Sequence, residues 1–213
     1  MSDATLFGYW RSSAAYRVRI ACNLKGIAPE QQFVHLRKGE QRGAEHLARN
    51  PAGLLPVWRE GEFSLSQSLA IIEYLEETHP EPKLLPGDAQ RRAVIRQIAL
   101  DVVADIHPIG NLRVLDALTA DFQSDATVRA AWCRRWIGLG LAVIEARLLG
   151  TSGQFAVGDD VTLADICLVP QLYNARRFDL DLAPFPKTVE VDARARALPA
   201  FAQATPENQP DAE

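Results

Sequence analysis

The pattern of apolar and polar positions in the N-terminal part of the chain predicts short strands and helices separated by turns. Apolar runs predict strands over Thr5–Tyr9 and Gln31–Leu36. Helical spacing of apolar residues predicts a helix between them. Ser12 or Ser13 supplies its N-cap, and Gly26 follows its last turn.

A hairpin and a further helix are predicted next. Leu54–Trp58 and Glu62–Leu65 are apolar stretches on either side of a Glu60-Gly61 turn, and Gln67–Glu77 has apolar residues at helical spacing. The predicted order is β-α-β, then an irregular or helical stretch, then β-β-α. With a right-handed crossover in the first βαβ unit, this order is typical of an α/β thioredoxin-like domain.

The remainder of the chain predicts an all-α C-terminal domain. Helices are expected over Ala89–Thr119, with a kink at Pro108, over Asp125–Leu149 and over Thr162–Tyr173, with one or two more in Lys187–Ala204. Thr162 and Asp165 form a Thr-x-x-acid capping box. Three prolines in Thr78–Asp88 mark a linker. We therefore expect a thioredoxin-like domain over residues 1–82 and an all-helical domain over residues 88–213.

Composition and charge exclude several classes of function. The 213 residues are 47% hydrophobic, and a net charge of −4 argues against nucleic acid or an anionic membrane surface as a partner. We expect neither a membrane span, which needs roughly 18 apolar residues, nor a signal peptide. Cys22, Cys133 and Cys167 are an odd, widely spaced set. They predict a reduced, cytoplasmic protein with neither a disulfide framework nor a metal site.

A series of segments along nearly the whole chain resembles the zeta class of the glutathione transferases. The segments are RSSAAYRVRIACNLKGI, NPAGLLPVW, LSQSLAIIEYLEETHP, DIHPIGNLRVL, VGDDVTLADICLVPQLYNARRF, the following DLAPFP, and PENQPD. That class contains the glutathione-dependent maleylacetoacetate isomerases and the similar maleylpyruvate isomerases. The resemblance implies glutathione transferase architecture, glutathione as the cofactor, a small dicarboxylate as the substrate, and a homodimer.

Candidate catalytic residues lie where the first predicted strand meets the first helix. A cysteine thiol has a pKa of about 8.5, and its thiolate is the nucleophile. At Ser12 and Ser13, a hydroxyl and the positive end of the helix can favour the thiolate of a bound ligand, whereas simple N-capping is the alternative role. The resemblance assigns catalysis to Ser12, with Ser13 assisting. The family usually has cysteine where this chain has Ala14, so only a mechanism that relies on the glutathione sulfur remains.

The resemblance also implies a set of glutathione-binding positions. They are Ser12, Ser13, Tyr16, Arg17, Leu55, Gln67, Ser68, His107, Asn111, Leu112 and Arg113. A cis bond before Pro56, implied by the resemblance alone, would let the Leu55 main chain pair with the ligand as an added strand does. Ser68 and the N–H groups of its helix can hold a carboxylate, with capping as the alternative. Arg17 or Arg19 supports glutathione or forms an internal ion pair.

The substrate side requires cations, because maleylacetoacetate and maleylpyruvate are both dicarboxylates. Arg11 and Arg177 are the candidate clamps, since a guanidinium matches a carboxylate with two hydrogen bonds; a solvated surface charge is the alternative. The function implied is cis–trans isomerisation of maleylacetoacetate to fumarylacetoacetate by reversible thiolate addition to the double bond. The alternatives are a maleylpyruvate isomerase, a glutathione transferase or dehalogenase for small electrophiles such as α-halo acids, and a non-catalytic glutathione-binding protein.

Overall fold

The computed structural model describes residues 4–213, which form two compact units. The first unit contains the described residues up to Lys83 together with Leu198–Glu213, and the second contains Leu84–Ala197. The two units divide within the proline-rich segment Thr78–Asp88. The C-terminal segment differs from the expected domain limits, which placed it with the helices of the second unit.

The first unit is built on a four-stranded mixed sheet. Its strands are β1 (Ala4–Gly8), β2 (Glu30–Phe33), β3 (Val57–Glu60) and β4 (Phe63–Ser66). Their order is β2-β1-β3-β4; β1 runs parallel to β2 and antiparallel to β3, and β3 runs antiparallel to β4. Every predicted strand is present. β3 begins later than predicted because Pro56 has no N–H to donate to a strand ladder, and the hairpin turn is Gly61-Glu62.

Three helices complete the βαβ and ββα parts of this unit. They are α1 (Ser13–Lys25), α2 (Ala44–Arg49) and α3 (Ser68–Thr78). Every residue of α1 from Ser13 to Cys22 is buried, so this helix lies in the interior of the unit. Gly26 ends α1 in the left-handed region with φ 66°, as its position after the last turn predicts. The thioredoxin-like α/β prediction is confirmed.

The second unit is helical throughout its regular elements, as predicted. Its helices are α4 (Ala89–Leu100), α5 (Leu112–Phe122), α6 (Ala126–Thr151), α7 (Leu163–Arg177) and α8 (Pro186–Arg196). The capping box at the start of α7 is present, because the Thr162 N–H donates to the Asp165 carboxylate at 2.8 Å. Among residues 4–213, no helix is long and apolar enough to cross a membrane.

One predicted helix of this unit is interrupted around Pro108, as expected, but the interruption is longer than a kink. The pattern over Ala89–Thr119 is divided into α4, a π-helical turn over Asp101–Ile106, a 3₁₀ turn over His107–Gly110, and α5. Pro108 has no N–H, and its ring clashes with the carbonyl four residues before it. The α-helical hydrogen-bond ladder therefore cannot run through Pro108, and the irregular stretch begins at Asp101, seven residues earlier.

The C-terminal segment Leu198–Glu213 packs on the first unit through α1. It contains the short helix α9 (Pro199–Gln203). Arg19 and Asn23 of α1 donate to the carbonyls of Ala204 and Ala200, at 3.2 and 2.9 Å. These two side chains bind main-chain acceptors of the segment, which explains why it belongs to this unit and not to the helical one.

Candidate active site

The register of the sheet brings three loop segments to one edge of the first unit. Phe7 near the end of β1 lies opposite Val57, the first residue of β3, and Val57 pairs with Ser66, the last residue of β4. The end of β1, the start of β3 and the end of β4 therefore coincide. The segments at this edge, called here the loop edge, are Tyr9–Ser12, Leu54–Pro56 and Gln67–Ser68.

Ser12 lies at the N-terminus of α1, on the loop edge. Its Oγ accepts a hydrogen bond from the Ala15 N–H at 3.2 Å, so it is the N-cap of the helix. A hydroxyl has two acceptor lone pairs and one proton to donate. Capping uses a lone pair and leaves the proton available to a ligand, so the capping and catalytic roles are compatible. Ser13, the first residue of the helix, is 7% exposed.

Gln67 and Ser68 open α3 at the same edge. Gln67 has φ 74° and ψ 117°, a backbone conformation that costs a residue with a side chain about 1–3 kcal/mol. Ser68 is buried, and its Oγ accepts from Nη1 of the fully buried Arg17 at 3.2 Å. As at Ser12, the hydroxyl proton remains to be donated. The N-termini of α1 and α3 thus both lie on the loop edge, where their partial positive charges favour an anion.

The Leu55–Pro56 peptide bond is cis, and the preceding residue, Leu54, is held by two buried side chains. The Leu54 carbonyl accepts from His46 Nε2 at 3.0 Å and from Asn50 Nδ2 at 2.8 Å. Because a carbonyl can only accept, the His46 proton lies on Nε2. The Leu55 side chain packs on the core residues Phe7, Val34 and Val57. The main chain before β3 is therefore fixed from both sides.

Two further candidates of the first unit have contrasting surroundings. Arg11 is partly exposed, and its guanidinium carbon lies 5.1 Å from the centre of the Trp10 ring. That cation–π contact orients the side chain without using its hydrogen-bond donors. Tyr16 is 1% exposed, with the Arg19 guanidinium 5.5 Å from its ring centre. Tyr16 has almost no surface for a ligand, and it supports α1 from the interior.

The remaining candidates lie in the second unit. His107 begins the 3₁₀ turn, Asn111 is the N-cap of α5, and Leu112 and Arg113 form the first turn of that helix. Asn111 Oδ1 accepts from the Arg113 N–H at 3.2 Å. The structure brings these four residues together in one short segment.

The segment from His107 to Gly110 is attached to α6 by a tryptophan. Trp132 Nε1 donates to the Ile109 carbonyl at 2.9 Å. The exposed Arg177 ends α7, with its guanidinium carbon 4.9 Å from the centre of the Phe178 ring. Within residues 4–213, no group of three or more His, Cys, Asp and Glu side chains is placed to hold a metal ion.

The one cysteine of the first unit, Cys22, lies away from the start of α1. Ala14 stands in its first turn, whereas Cys22 lies near its other end and is 3% exposed. Burial raises the pKa of the Cys22 thiol to about 12, so this thiol stays protonated. Cys133 and Cys167 belong to α6 and α7 of the second unit, and both are buried. The first unit therefore has no cysteine thiol available as a nucleophile at Ser12.

Sequence reasoning missed several residues that fix the loop edge. They are Trp10, Arg19 in this role, His46, Asn50 and Asp211. Local sequence carries one usable signal, since Asn50-Pro51 favours a turn before β3. Nothing local predicts the contact between Trp10 and Asp211, which are 201 positions apart.

The fold and the loop edge define a class of protein. A thioredoxin-like unit with two helix N-termini and a cis-proline at one edge, followed by a helical unit, is the architecture expected of a glutathione transferase. The family described as "Glutathione S-transferase, N-terminal domain" matches residues 6–83, and "Glutathione S-transferase, C-terminal domain" matches residues 130–199.

Individual relatives indicate which subclass of the glutathione transferases the chain belongs to. A probable maleylacetoacetate isomerase of Vibrio cholerae is 52% identical and matches over 100% of both chains. The holo structure of a maleylpyruvate isomerase, described as a bacterial zeta-class glutathione S-transferase, is 45% identical, with a TM-score of 0.96 over 98% of this chain and 100% of that one. A maleylacetoacetate isomerase of Methylobacterium extorquens, solved with malonate and GSH, is 39% identical, with a TM-score of 0.95 over 98% and 99%. The chain belongs to the glutathione S-transferase family, and within it to the zeta class.

Proposed function

We propose that this protein is a glutathione-dependent cis–trans isomerase that converts maleylacetoacetate to fumarylacetoacetate. The observation that carries the proposal is the loop edge, where Ser12, Leu55 and the Gln67-Ser68 pair meet. The Vibrio cholerae relative, which is described as a probable maleylacetoacetate isomerase and is similar over its full length, supports the choice of reaction.

The residues of the loop edge fit glutathione by charge and hydrogen bonding. Glutathione carries a carboxylate on its γ-glutamyl residue, an amide at its cysteine and a thiol. The Ser68 hydroxyl and the N-terminus of α3 would hold the carboxylate, and the Leu55 main chain would pair with the amide. GSH is bound in the related structure from Methylobacterium extorquens.

Ser12 would stabilise the reactive sulfur. Bound glutathione supplies a thiolate that adds reversibly to the double bond, which allows the bond to rotate. The Ser12 hydroxyl would donate its free proton to that sulfur, and the N-terminus of α1 would favour the negative charge. Because Ala14 has no thiol and Cys22 stays protonated, the protein contributes no second sulfur to the reaction.

Arginines would hold the two carboxylates of the substrate. We propose Arg11 and Arg177 for this role. Each guanidinium lies over an aromatic ring, Trp10 and Phe178 respectively, and a planar guanidinium matches a carboxylate with two parallel hydrogen bonds. Malonate, a dicarboxylate, accompanies GSH in the Methylobacterium extorquens structure, which supports a substrate of that class.

Isomerisation followed by ultraviolet absorbance tests the proposal. Maleylacetoacetate and maleylpyruvate are incubated with the protein, with and without glutathione. Glutathione-dependent turnover is expected for both substrates, with the higher kcat/KM for maleylacetoacetate. A higher kcat/KM for maleylpyruvate would assign the activity of the 45%-identical relative. Absence of turnover with both, while glutathione still binds, would contradict the isomerase and favour a transferase or dehalogenase.

We also propose a cytoplasmic homodimer. The dimer rests on the family resemblance, and the location rests on three cysteines that form no disulfide. Light scattering is expected to give twice the 23.5 kDa mass of the chain; a mass of 23.5 kDa would contradict the dimer. Cell fractionation tests the location.

A further inference from the structure

We propose that Arg19 and Asp211 are positioning residues that together hold the main chain of Trp10, and through it the Ser12 hydroxyl, in the geometry needed for the thiolate. This proposal rests on the proposed function of Ser12. It assigns a role at the loop edge to the C-terminal segment, which the sequence placed with the other domain.

Both main-chain polar groups of Trp10 are held by this pair. The Trp10 N–H donates to Asp211 Oδ2 at 2.9 Å, and the Trp10 carbonyl accepts from Arg19 Nη2 at 2.9 Å. The loop turns directly afterwards, because the Ser12 N–H donates to the Tyr9 carbonyl at 2.9 Å. Arg19 Nη1 approaches the same Tyr9 carbonyl at 3.5 Å. The pair therefore fixes the peptide groups just before Ser12.

The pair is charged, with Arg19 buried and Asp211 half-buried. Arg19 is 6% exposed, and burial lowers its pKa to about 10, against the opposing effect of the Asp211 carboxylate. Asp211 Oδ1 is buried and has no hydrogen-bond partner within residues 4–213. Charged hydrogen bonds in such surroundings are stronger than those between neutral groups in water. These hydrogen bonds therefore favour a single conformation of the loop over Tyr9–Ser12.

Other contacts attach the C-terminal segment without touching Trp10. Asn23 Nδ2 donates to the Ala200 carbonyl at 2.9 Å, and His35 Nε2 binds the Glu213 carboxylate. Removal of the Asp211 side chain therefore leaves the segment attached. The effect of Asp211 on Ser12 can thus be measured separately from attachment of the segment.

The test compares Asp211→Ala with Asp211→Asn and with Asn23→Ala as the matched control. The first readout is amide hydrogen exchange of Trp10 and Ser12 in the full chain. The second is the pKa of the thiol of bound glutathione, from thiolate absorbance against pH. We expect Asp211→Ala to speed exchange at Trp10 about tenfold and to reduce the thiolate fraction at neutral pH by a similar factor, as loss of a hydrogen bond to a charged group does.

The control variants separate positioning from stability. In Asp211→Asn the amide oxygen of the new side chain can still accept from the Trp10 N–H, so this variant should recover much of the exchange protection and part of the thiolate fraction. Asn23→Ala should lower Tm without changing either readout. Equal effects of Asp211→Ala and Asn23→Ala, or a lower Tm alone in Asp211→Ala, would overturn the proposal. The exchange readout needs no glutathione, so it tests the hold of the pair on Trp10 even if the isomerase assay fails, whereas the thiolate readout tests its effect on Ser12.

Discussion

At the scale of single residues, Ser12 and Ser68 have the same hydrogen-bonding arrangement. Each serine oxygen accepts a hydrogen bond from the protein, from the Ala15 N–H and from Arg17. Each hydroxyl proton therefore points away from the protein's own donor. Two oriented donors at the loop edge suit an anionic ligand better than two freely rotating hydroxyls, because their orientation needs no further loss of entropy when the ligand binds.

Replacing Ser12 by alanine removes the proposed donor to the sulfur. We expect Ser12→Ala to raise the pKa of the bound glutathione thiol and to lower kcat about a hundredfold, as loss of one oriented donor does elsewhere. Loss of the cap should also lower the free energy of unfolding by about 1 kcal/mol. Ser12→Thr retains the hydroxyl and serves as the control. Unchanged turnover in Ser12→Ala would remove Ser12 from the mechanism.

Gln67 is held in a conformation that glycine adopts more readily. Gln67→Gly should leave Tm unchanged or raise it. Because the resemblance implies that Gln67 binds glutathione, we expect its side chain to hydrogen-bond the charged ligand and the Kd for glutathione to increase about tenfold in this variant. Gln123, with φ 54° at the end of α5, offers a matched control. Gln123→Gly should affect Tm in the same direction and leave glutathione binding unchanged. Tighter glutathione binding by Gln67→Gly would contradict the assignment.

The capping carboxylate of α7 makes stability depend on pH. Burial raises the pKa of Asp165 to about 6, although three hydrogen bonds from Ala156 and Thr162 favour the charged form. The folded protein thus holds this proton more tightly than the unfolded chain. The resulting stabilisation is complete below about pH 4 and is lost as pH rises through about 6.

Asp165→Asn, which does not titrate, isolates this effect. The free energy of unfolding of the wild type minus that of Asp165→Asn should fall between pH 4 and 6 by up to about 3 kcal/mol, at about 1.4 kcal/mol for each pKa unit. Urea titrations of both proteins across this range measure the difference. Parallel pH profiles would show that Asp165 keeps an ordinary pKa.

At the scale of elements, the helices and strands were predictable, whereas the irregular turns were not. The periodicity that predicts Ala89–Thr119 as one helix is similar for α-, π- and 3₁₀-turns over so few residues. Only Pro108 indicated a break, and the π-turn begins seven residues before it. The start of β3 was also predicted too early. The apolar run over Leu54–Trp58 does not show that Pro56, which has no N–H, keeps the first residues of the run out of the strand ladder.

A close contact between α6 and the π-helical turn over Asp101–Ile106 explains why position 140 is a glycine, which helical periodicity does not predict. A Cβ at Gly140 would lie well inside van der Waals contact of the buried Ile106 side chain. Gly140→Ala should therefore destabilise the protein by about 1–3 kcal/mol, despite the better helix propensity of alanine. Apart from its chain neighbours and its own helix backbone, Gly150 of the same helix has no atom of residues 4–213 within 4 Å of its Cβ position, so Gly150→Ala should stabilise by about 0.5–1 kcal/mol. Chemical denaturation of both variants tests the pair; equal effects would contradict the contact.

At the scale of the whole molecule, the sequence predicted the two classes of domain and, through the resemblance, the residues of the loop edge. It did not predict that the C-terminal segment joins the first unit. That arrangement depends on Arg19, Asn23 and Asp211, whose partners lie far away along the chain. Local propensity and periodicity depend on residues that are neighbours in sequence, so they cannot predict contacts between residues that are far apart along the chain.

The charge of the whole chain bears on substrate binding. A net charge of −4 opposes the approach of a dianion, so attraction must come from local cations such as Arg177. Arg177→Ala should raise KM for the dicarboxylate about tenfold and weaken its dependence on salt, while the Kd for glutathione stays unchanged. Arg135→Ala removes the same charge from another exposed arginine stacked on an aromatic ring. If it raises KM equally, the effect is one of net charge; a rise in KM for Arg177→Ala alone assigns Arg177 to the carboxylate.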